Sequence, residues 1–432
     1  MTTTHADTIL AEVMDDRPDE FALLTREFVL REFPRYLEEA KRDPHHYPHE
    51  LMKKCAEIGL LGLEIPEEYG GNAVPSLQQV AVMEELARGD GGLGLDILVQ
   101  NSLTAFPITK FGTEAQRARY LPRMARGEVI ACFGLTEPNT GSDAKAIRCK
   151  ATWDDAKHGW IVNGAKRFIT SASAATVMVL AARTGRPEER GRGISVLLAE
   201  IGPSSGVESV AVSDFDKLGQ PGSQLCEVVF QNHFVPEDAL MGKLNEGWQI
   251  IESTLQHSRI WIAAQGSGIA RHAMDEAEKY THEREQFGKK LADIPDVQNH
   301  LQIMQRQVGI ARLLVRKAAA HEQAGDAHAF VWASLAKMVA AETALWAASE
   351  AMLLHGGMGY TKEMPISQIF ADSAVIRIYE GAAHIQAKII GKHLPGKDIL
   401  SLLPPSGAFL RDARDFPSPA AVMADIETWT VA

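Results

Sequence analysis

The chain has 432 residues, 45% hydrophobic and 23% charged, with 44 basic and 56 acidic side chains and a net charge of −12. This length fits about three domains, and the mixture is that of a soluble globular protein that needs no disulfide or metal staple. The acidic balance excludes a phosphate-backbone binder, so no nucleic-acid partner is expected. Cys55, Cys132, Cys149 and Cys226 form no CxxC pair, which fits a reducing, cytoplasmic setting. Met1 to Asp7 carry no basic-then-apolar leader. No apolar run reaches the roughly 18 residues of a membrane span.

Residues 1–130 read as a helical block. Phe21, Leu24, Phe28 and Leu37 recur near a period of 3.6 over residues 20–42. Pro44 and Pro48 break that helix. Leu51 to Ile58 form a second, ended by Gly59, and Gly70-Gly71-Asn72 make a turn. Leu77 to Ala87 form a third, broken at Gly89-Asp90-Gly91-Gly92. His45, His46 and His49 lie among prolines without a suitably spaced acidic or cysteine ligand, so no metal site is expected.

Residues 131–240 change to short β-branched runs: Trp160 to Val162, Thr176 to Leu180, Ile194 to Leu198 and Val228 to Phe230. Asn163-Gly164 has the form of a hairpin turn. No helical pattern separates these runs, so an antiparallel sandwich or barrel is expected. Residues 241–393 return to long helices, from Gln249 to about Tyr280, Pro295 to about Ala324 and Ala327 to about Leu354. Gly266-Ser267-Gly268 lies inside a helical pattern, so it is no dinucleotide turn. Gly356-Gly357-Met358-Gly359 reads as a helix cap and turn. The tail, 394–432, carries Pro404-Pro405, Pro417 and Pro419, with a short amphipathic helix from Ala420 to Trp429.

Three segments carry candidate chemistry. Cys132 to Asp143 is a Gly- and Pro-bearing loop with hydroxyls and a carboxylate, suited to an anionic or heteroaromatic ligand. Ile376-Arg377-Ile378-Tyr379-Glu380-Gly381 presents a carboxylate among apolar neighbours. It is either a general base of raised pKa or a glutamate at a helix N-terminus. Glu283 to Gly288 offers Arg284 to a phosphate or to a helix end.

Taken in order, TEPxxGSD, KRFIT, RxxFG, GGxGY and IYEG on an α–β–α chain resemble the acyl-CoA dehydrogenase flavoproteins over residues 20–393. The resemblance implies an α+β fold. It has an N-terminal all-α domain, a middle antiparallel β domain and a C-terminal four-helix-bundle domain, with FAD between them. By the same resemblance Phe133, Leu135, Thr136, Gly141, Ser142, Phe168, Ile169 and Thr170 line the flavin. Arg284, Gln286 and Phe287 reach the FAD of a neighbouring subunit. Gly356 and Gly357 make its adenosine-side turn, and Ala382 and His384 follow at the polar FAD contact.

Ser142, Arg259, Tyr379 and Gly381 would contact the acyl-CoA substrate, and Glu380 would be the catalytic base. The implied reaction removes the α proton of the thioester to Glu380 and a β hydride to flavin N5. The carbonyl is held by a ribityl hydroxyl and the base's own N–H. The resemblance further implies an electron-transfer flavoprotein as acceptor and a homo-oligomer, a tetramer or a dimer. The alternative base position, before Arg259, is Ser258, which cannot serve. Gln256, Leu353, Ala382 and His384 depart from the residues usual in the family. An oxidase using dioxygen and a dehydrogenase acting on a carrier-protein thioester are the alternatives on the same fold.

Overall fold

The computed structural model describes residues 19–43, 45–202 and 208–431. The residues read as lacking a leader and the helix-breaking Pro44 lie outside them. Helix α1 (Glu20–Arg42) starts on Asp19, whose carboxylate accepts the Ala22 N–H at 2.9 Å. Its buried stripe runs Phe28, Val29, Phe33, Tyr36, Ala40, as a 3.6 period requires. Helix α2 (His49–Glu57) ends where Gly59 takes φ +84°. Helices α3 (Ser76–Gly89) and α4 (Gly91–Leu98) follow. Here the expected break is a junction of a single residue. Asp90 is extended (φ −163°) and its side chain accepts the Leu93 N–H at 2.7 Å, so the turn-like residues serve as a cap. The chain continues through a π-helical segment (Val99–Ala105), α5 (Phe106–Phe111) and α6 (Glu114–Ala125), the last opened by a Thr113–Gln116 capping box.

Eight strands follow: β1 (Ala131–Gly134), β2 (Lys150–Asp154), β3 (Gly159–Thr170), β4 (Val177–Arg183), β5 (Ile194–Glu200), β6 (Val210–Asp214), β7 (Leu225–Pro236) and β8 (Leu240–Met241). They form one sheet in the order β6-β7-β3-β2-β4-β5-β8, with β1 on β4. The sheet is not wholly antiparallel. Strand β1 runs parallel to β4, and β2 meets β4 in parallel at Lys150–Arg183. Strand β1 arrives from the helical block, so no hairpin reverses it. Asn163-Gly164 is likewise not a turn. It lies inside β3 at a register shift against β7, and Gly164 (φ +141°) lets the backbone at Cys149, just before β2, approach. Strand β4 is buried on both faces. Val177, Val179 and Ala181 pack toward Leu121 and Ile250, while Met178, Leu180 and Ala182 pack toward Val228 and Phe230.

The helices then resume with α7 (Gly247–Glu283), a two-stranded hairpin of β9 (Glu285–Gln286) and β10 (Lys289–Lys290), α8 (Pro295–Gln323), α9 (Ala329–His355), α10 (Pro365–Ala374) and α11 (Ala383–His393). Helix α7 is buried without a break from His257 to Ala270. Gly266 faces the Ala340 backbone of α9 and Gly268 the Glu84 carbonyl of α3, leaving no room for a Cβ at Gly268. The tail lies along α8 and ends in α12 (Pro419–Ile426), with Met423, Ile426 and Trp429 in the main core. Lys317 of α8, buried beneath this tail, pairs with Glu427 and sits 4.6 Å from the Trp332 ring. Among the described residues no helix is long and apolar enough to cross a membrane.

Candidate active site

Glu380 stands in the turn between α10 and α11. Its φ is +51° and that of Gly381 is +88°, two consecutive left-handed residues, a state that costs a non-glycine residue about 1 kcal/mol. The Ser258 hydroxyl on α7 donates to Glu380 Oε2 at 2.8 Å. Burial raises the carboxyl above the ordinary range, while the Ser258 hydrogen bond, Arg259 and Lys337 pull it back in part. Its backbone N–H has no partner among the described residues. This is a base environment with a free donor beside it, and the glutamate is not in the helix: α11 begins at Ala383.

Arg259 lies against the Glu380–Gly381 turn, its Nη2 4.0 Å from where a Cβ on Gly381 would stand. It is 8% exposed, its Nη1 faces Ser334 Oγ at 3.3 Å, and its Nε has no partner. Ser258, set aside as a base, is instead the hydroxyl that holds the Glu380 carboxylate.

A buried polar junction links this turn to the β sheet. The Tyr379 hydroxyl donates to Gln265 Oε1, and Gln265 Nε2 to the Gly91 carbonyl at 2.7 Å. Asp372 of α10 accepts the Gln220 N–H and Gln368 Nε2. Asp96 of α4 accepts Ser171 Oγ at 2.7 Å and Ser223 Oγ at 3.0 Å, and burial pushes it up to about 7. Lys217 donates to the Gln220 and Ser223 carbonyls within the same group. Ser171 follows Thr170, so the Thr170 end of β3 and the Glu380 turn share one junction.

The loop after β1 is held from beneath. Buried Lys166 donates to the Leu135 carbonyl at 3.0 Å and to Glu137 Oε1 at 2.8 Å. Glu137 also accepts the Arg148 and Cys149 N–H groups at 2.7 and 2.9 Å. The Thr136 carbonyl accepts the Arg167 N–H at 2.8 Å, joining the loop to β3. A second register shift in β3, between Lys166 and Ile169, turns Phe168 outward at φ +60° and 54% exposed, while Ile169 stays buried. Phe133 and Thr170 are half-buried; Gly141 and Ser142 are exposed. The hydroxyls of Thr136, Ser142 and Thr170 have no partner among the described residues, and a Cβ at Gly141 would meet open space. Free hydroxyls, an outward aromatic ring and an open glycine loop fit a flat, polar-edged heteroaromatic group such as a flavin.

The remaining predicted residues lie elsewhere. Arg284 caps the end of α7, and Gln286 and Phe287 stand exposed on the β9–β10 hairpin, Phe287 at 90%. Gly356 and Gly357 follow α9, where Tyr280 and His355 stack at 4.2 Å and draw the two helix ends together. At 1.5 Å per residue, the 18 residues from Lys337 to His355 place this end about 27 Å along α9 from Gly381. The 25 residues from Arg259 to Arg284 span about 38 Å of α7. One copy therefore does not bring these groups to its own Glu380. Ala382 is half-buried and His384 exposed beside the base turn.

Profiles of the N-terminal, middle and C-terminal domains of acyl-CoA dehydrogenase match residues 16–128, 132–233 and 245–394. The chain belongs to the acyl-CoA dehydrogenase family. It is 35% identical to the acryloyl-CoA reductase (NADH) of Anaerotignum propionicum over 86% of this chain and 92% of the relative. The structure of butyryl-CoA dehydrogenase from Megasphaera elsdenii superposes with a TM-score of 0.82 at 34% identity, covering 88% and 98% of the two chains. A structure described as an electron transferring flavoprotein of Acidaminococcus fermentans also superposes at 0.82, with 32% identity over 89% and 100%. Acyl-CoA dehydrogenases are flavoproteins of three parts, helical, β and helical, as found here.

Sequence reasoning did not find Lys337, Gln386, Gln265 or Asp96. A usable signal existed for two of them: Lys337 is the one charged residue in the run Ala333 to Ala341, and Asp96 the one charged residue in Leu93 to Val99.

Proposed function

We propose that this chain is an FAD-dependent acyl-CoA dehydrogenase that converts an acyl-CoA to its trans-2-enoyl-CoA, with Glu380 as the base. The observation that carries this is the Glu380 carboxylate itself. It is held by Ser258 at 2.8 Å on a left-handed turn, is raised in pKa by burial, and sits next to an unpartnered backbone N–H. Ser258 occupies one carboxylate oxygen and leaves the other to take the α proton. The Glu380 N–H is free to stabilise the thioester oxygen as charge develops. An apolar acyl chain excludes water, which strengthens that bond and raises the base further. FAD, when bound, supplies the acceptor for the hydride that leaves the β carbon.

Phe133, Leu135, Thr136, Gly141, Ser142, Phe168, Ile169 and Thr170 would hold its ring, with Ala382 and His384 beside the base turn. Arg284, Gln286, Phe287, Gly356 and Gly357 would serve the FAD of a second copy, because about 27–38 Å of helix separates them from their own base. This makes the protein a homo-oligomer, a dimer or tetramer. Ser142, Arg259, Tyr379 and Gly381 would line the substrate. An electron-transfer flavoprotein is the proposed acceptor, in a cytoplasmic setting within fatty-acid metabolism. The oxidase and carrier-protein readings gain no support from these residues.

The test is anaerobic mixing of flavin-loaded protein with short-chain acyl-CoAs. The parent should bleach, and Glu380→Gln should bleach at least ~100-fold more slowly, the low end for loss of a general base. Equal rates would assign the proton to another group.

A further inference from the structure

Two buried side chains converge on one peptide carbonyl next to the proposed base. Lys337 of α9 is fully buried, and its Nζ donates to the Gly381 carbonyl at 2.8 Å. Gln386 of α11, also fully buried, donates Nε2 to the same oxygen at 2.9 Å and to the Glu380 carbonyl at 3.3 Å. Gln386 Nε2 fills the space a side chain on Gly381 would take. The neutral amide already satisfies the carbonyl. A buried ammonium is far costlier than a buried amide, so hydrogen bonding alone does not account for a lysine here. What a charge adds is its field on the neighbouring carboxylate.

We propose that Lys337 is a positioning residue for proton abstraction: it holds the Gly381 carbonyl, and with it the left-handed Glu380–Gly381 turn, while its charge favours the ionised form of Glu380. The inference rests on Glu380 being the base. The ionisable groups facing the pair are Arg259 from α7, Glu342 from α9 itself and Tyr379 from the turn. Burial lowers Lys337 to about 8, with Glu380 opposing that shift and Arg259 adding to it. The clamp is therefore complete on the acid side of that value and weakens on the alkaline side.

The test compares flavin-loaded parent, Lys337→Met and Lys337→Arg. In Lys337→Met, kcat and the exchange of the substrate α proton into D2O should both fall ~10–100-fold, the scale of small misplacement of a reacting group. KM should change little. The acid limb of the kcat profile should move up by roughly one pH unit, because a cation within reach of a carboxylate lowers its pKa by that order. Lys337→Arg should leave the limb in place. Difference infrared titration of the Glu380 carboxylate, referenced to Glu380→Gln, reads the same shift without turnover.

A Lys337→Met protein with parental rate and limb overturns the inference. So does a slower one whose limb and carboxylate titration stay put, since a merely structural lysine would give that result. If Lys337→Met does not take up flavin, Lys337→Gln carries the test: it keeps a donor for the Gly381 carbonyl and removes the charge. Its acid limb and carboxylate titration should move up as in Lys337→Met, and an unmoved limb overturns the inference. Glu380→Gln, run alongside, separates the two claims: full activity there refutes the base, whereas an inactive Glu380→Gln with an unaltered Lys337→Met refutes only the role of Lys337.

Discussion

A buried ion pair supports the loop after β1. Lys166 is fully buried and Glu137 is 7% exposed, and the two meet at 2.8 Å. Lys166→Met removes the charge but fills the space. Glu137 is then a buried carboxylate without its cation, a change that costs about 3–5 kcal/mol. It keeps the Arg148 and Cys149 N–H bonds, so the low end, about 3 kcal/mol, is expected. That is a large part of a typical stability of about 5–15 kcal/mol.

Adding Glu137→Gln should recover part of the loss, because the stranded charge goes while an acceptor for one of the two N–H groups remains. A coupling of about 1–3 kcal/mol is expected between the two sites. The assay is a double-mutant cycle by urea unfolding of the holoprotein, with flavin content measured in each variant. Flavin should be retained least in Lys166→Met, since the Leu135 carbonyl also loses its donor. Additive losses, or a Lys166→Met protein as stable as its parent, would refute the argument.

Two further outcomes follow from other contacts. Where α7 meets the first helical block and α8, His257 donates from Nε2 to Glu64 and from Nδ1 to Glu322 and stacks on Phe106 at 4.0 Å. Burial alone would lower its pKa, but the two carboxylates outweigh that and raise it to about 10. The raised value adds stability that is fully present below the unfolded value of about 6.5 and is lost as pH rises through about 10. Urea midpoints should therefore fall more steeply for the parent than for His257→Gln across that window; parallel curves would count against the clamp. In the second, Arg284→Ala and Glu380→Gln subunits, each inactive alone, are mixed and reassembled. Each mixed dimer contains one site with both groups intact, so each should have about half the activity of a native dimer, and a randomly paired population about a quarter. Mixed oligomers without recovered activity would place Arg284 and Glu380 in separate functions.

The long elements were legible because their signals are local. The stripe of α1 and the apolar period of α7 to α9 lie within single windows. The misses came where a local signal was put to another use by distant packing. Gly89 to Gly92 looked like a break, but Asp90 caps α4 and Gly92 lies against Gln220, far along the chain. Asn163-Gly164 looked like a turn, but the glycine serves the approach of Cys149, just before β2. The direction of β1 depends on where the helical block delivers it. At the site, Glu380 was visible through an ordered motif, whereas its partner Ser258 is 122 residues away and Lys337 acts through a neighbour's carbonyl. The left-handed turn at a glutamate has no compositional signature.

The tail along α8 bears on synthesis. Lys317 emerges from the ribosome over a hundred residues before Glu427, the carboxylate that pairs with it. Until then a buried cation in an apolar seam has no counter-charge, and Met423, Ile426 and Trp429 are not yet there to close over it. A chain cut short before Glu427 would display that seam to chaperones and proteases, so the segment that closes over α8 also hides a signal for quality control.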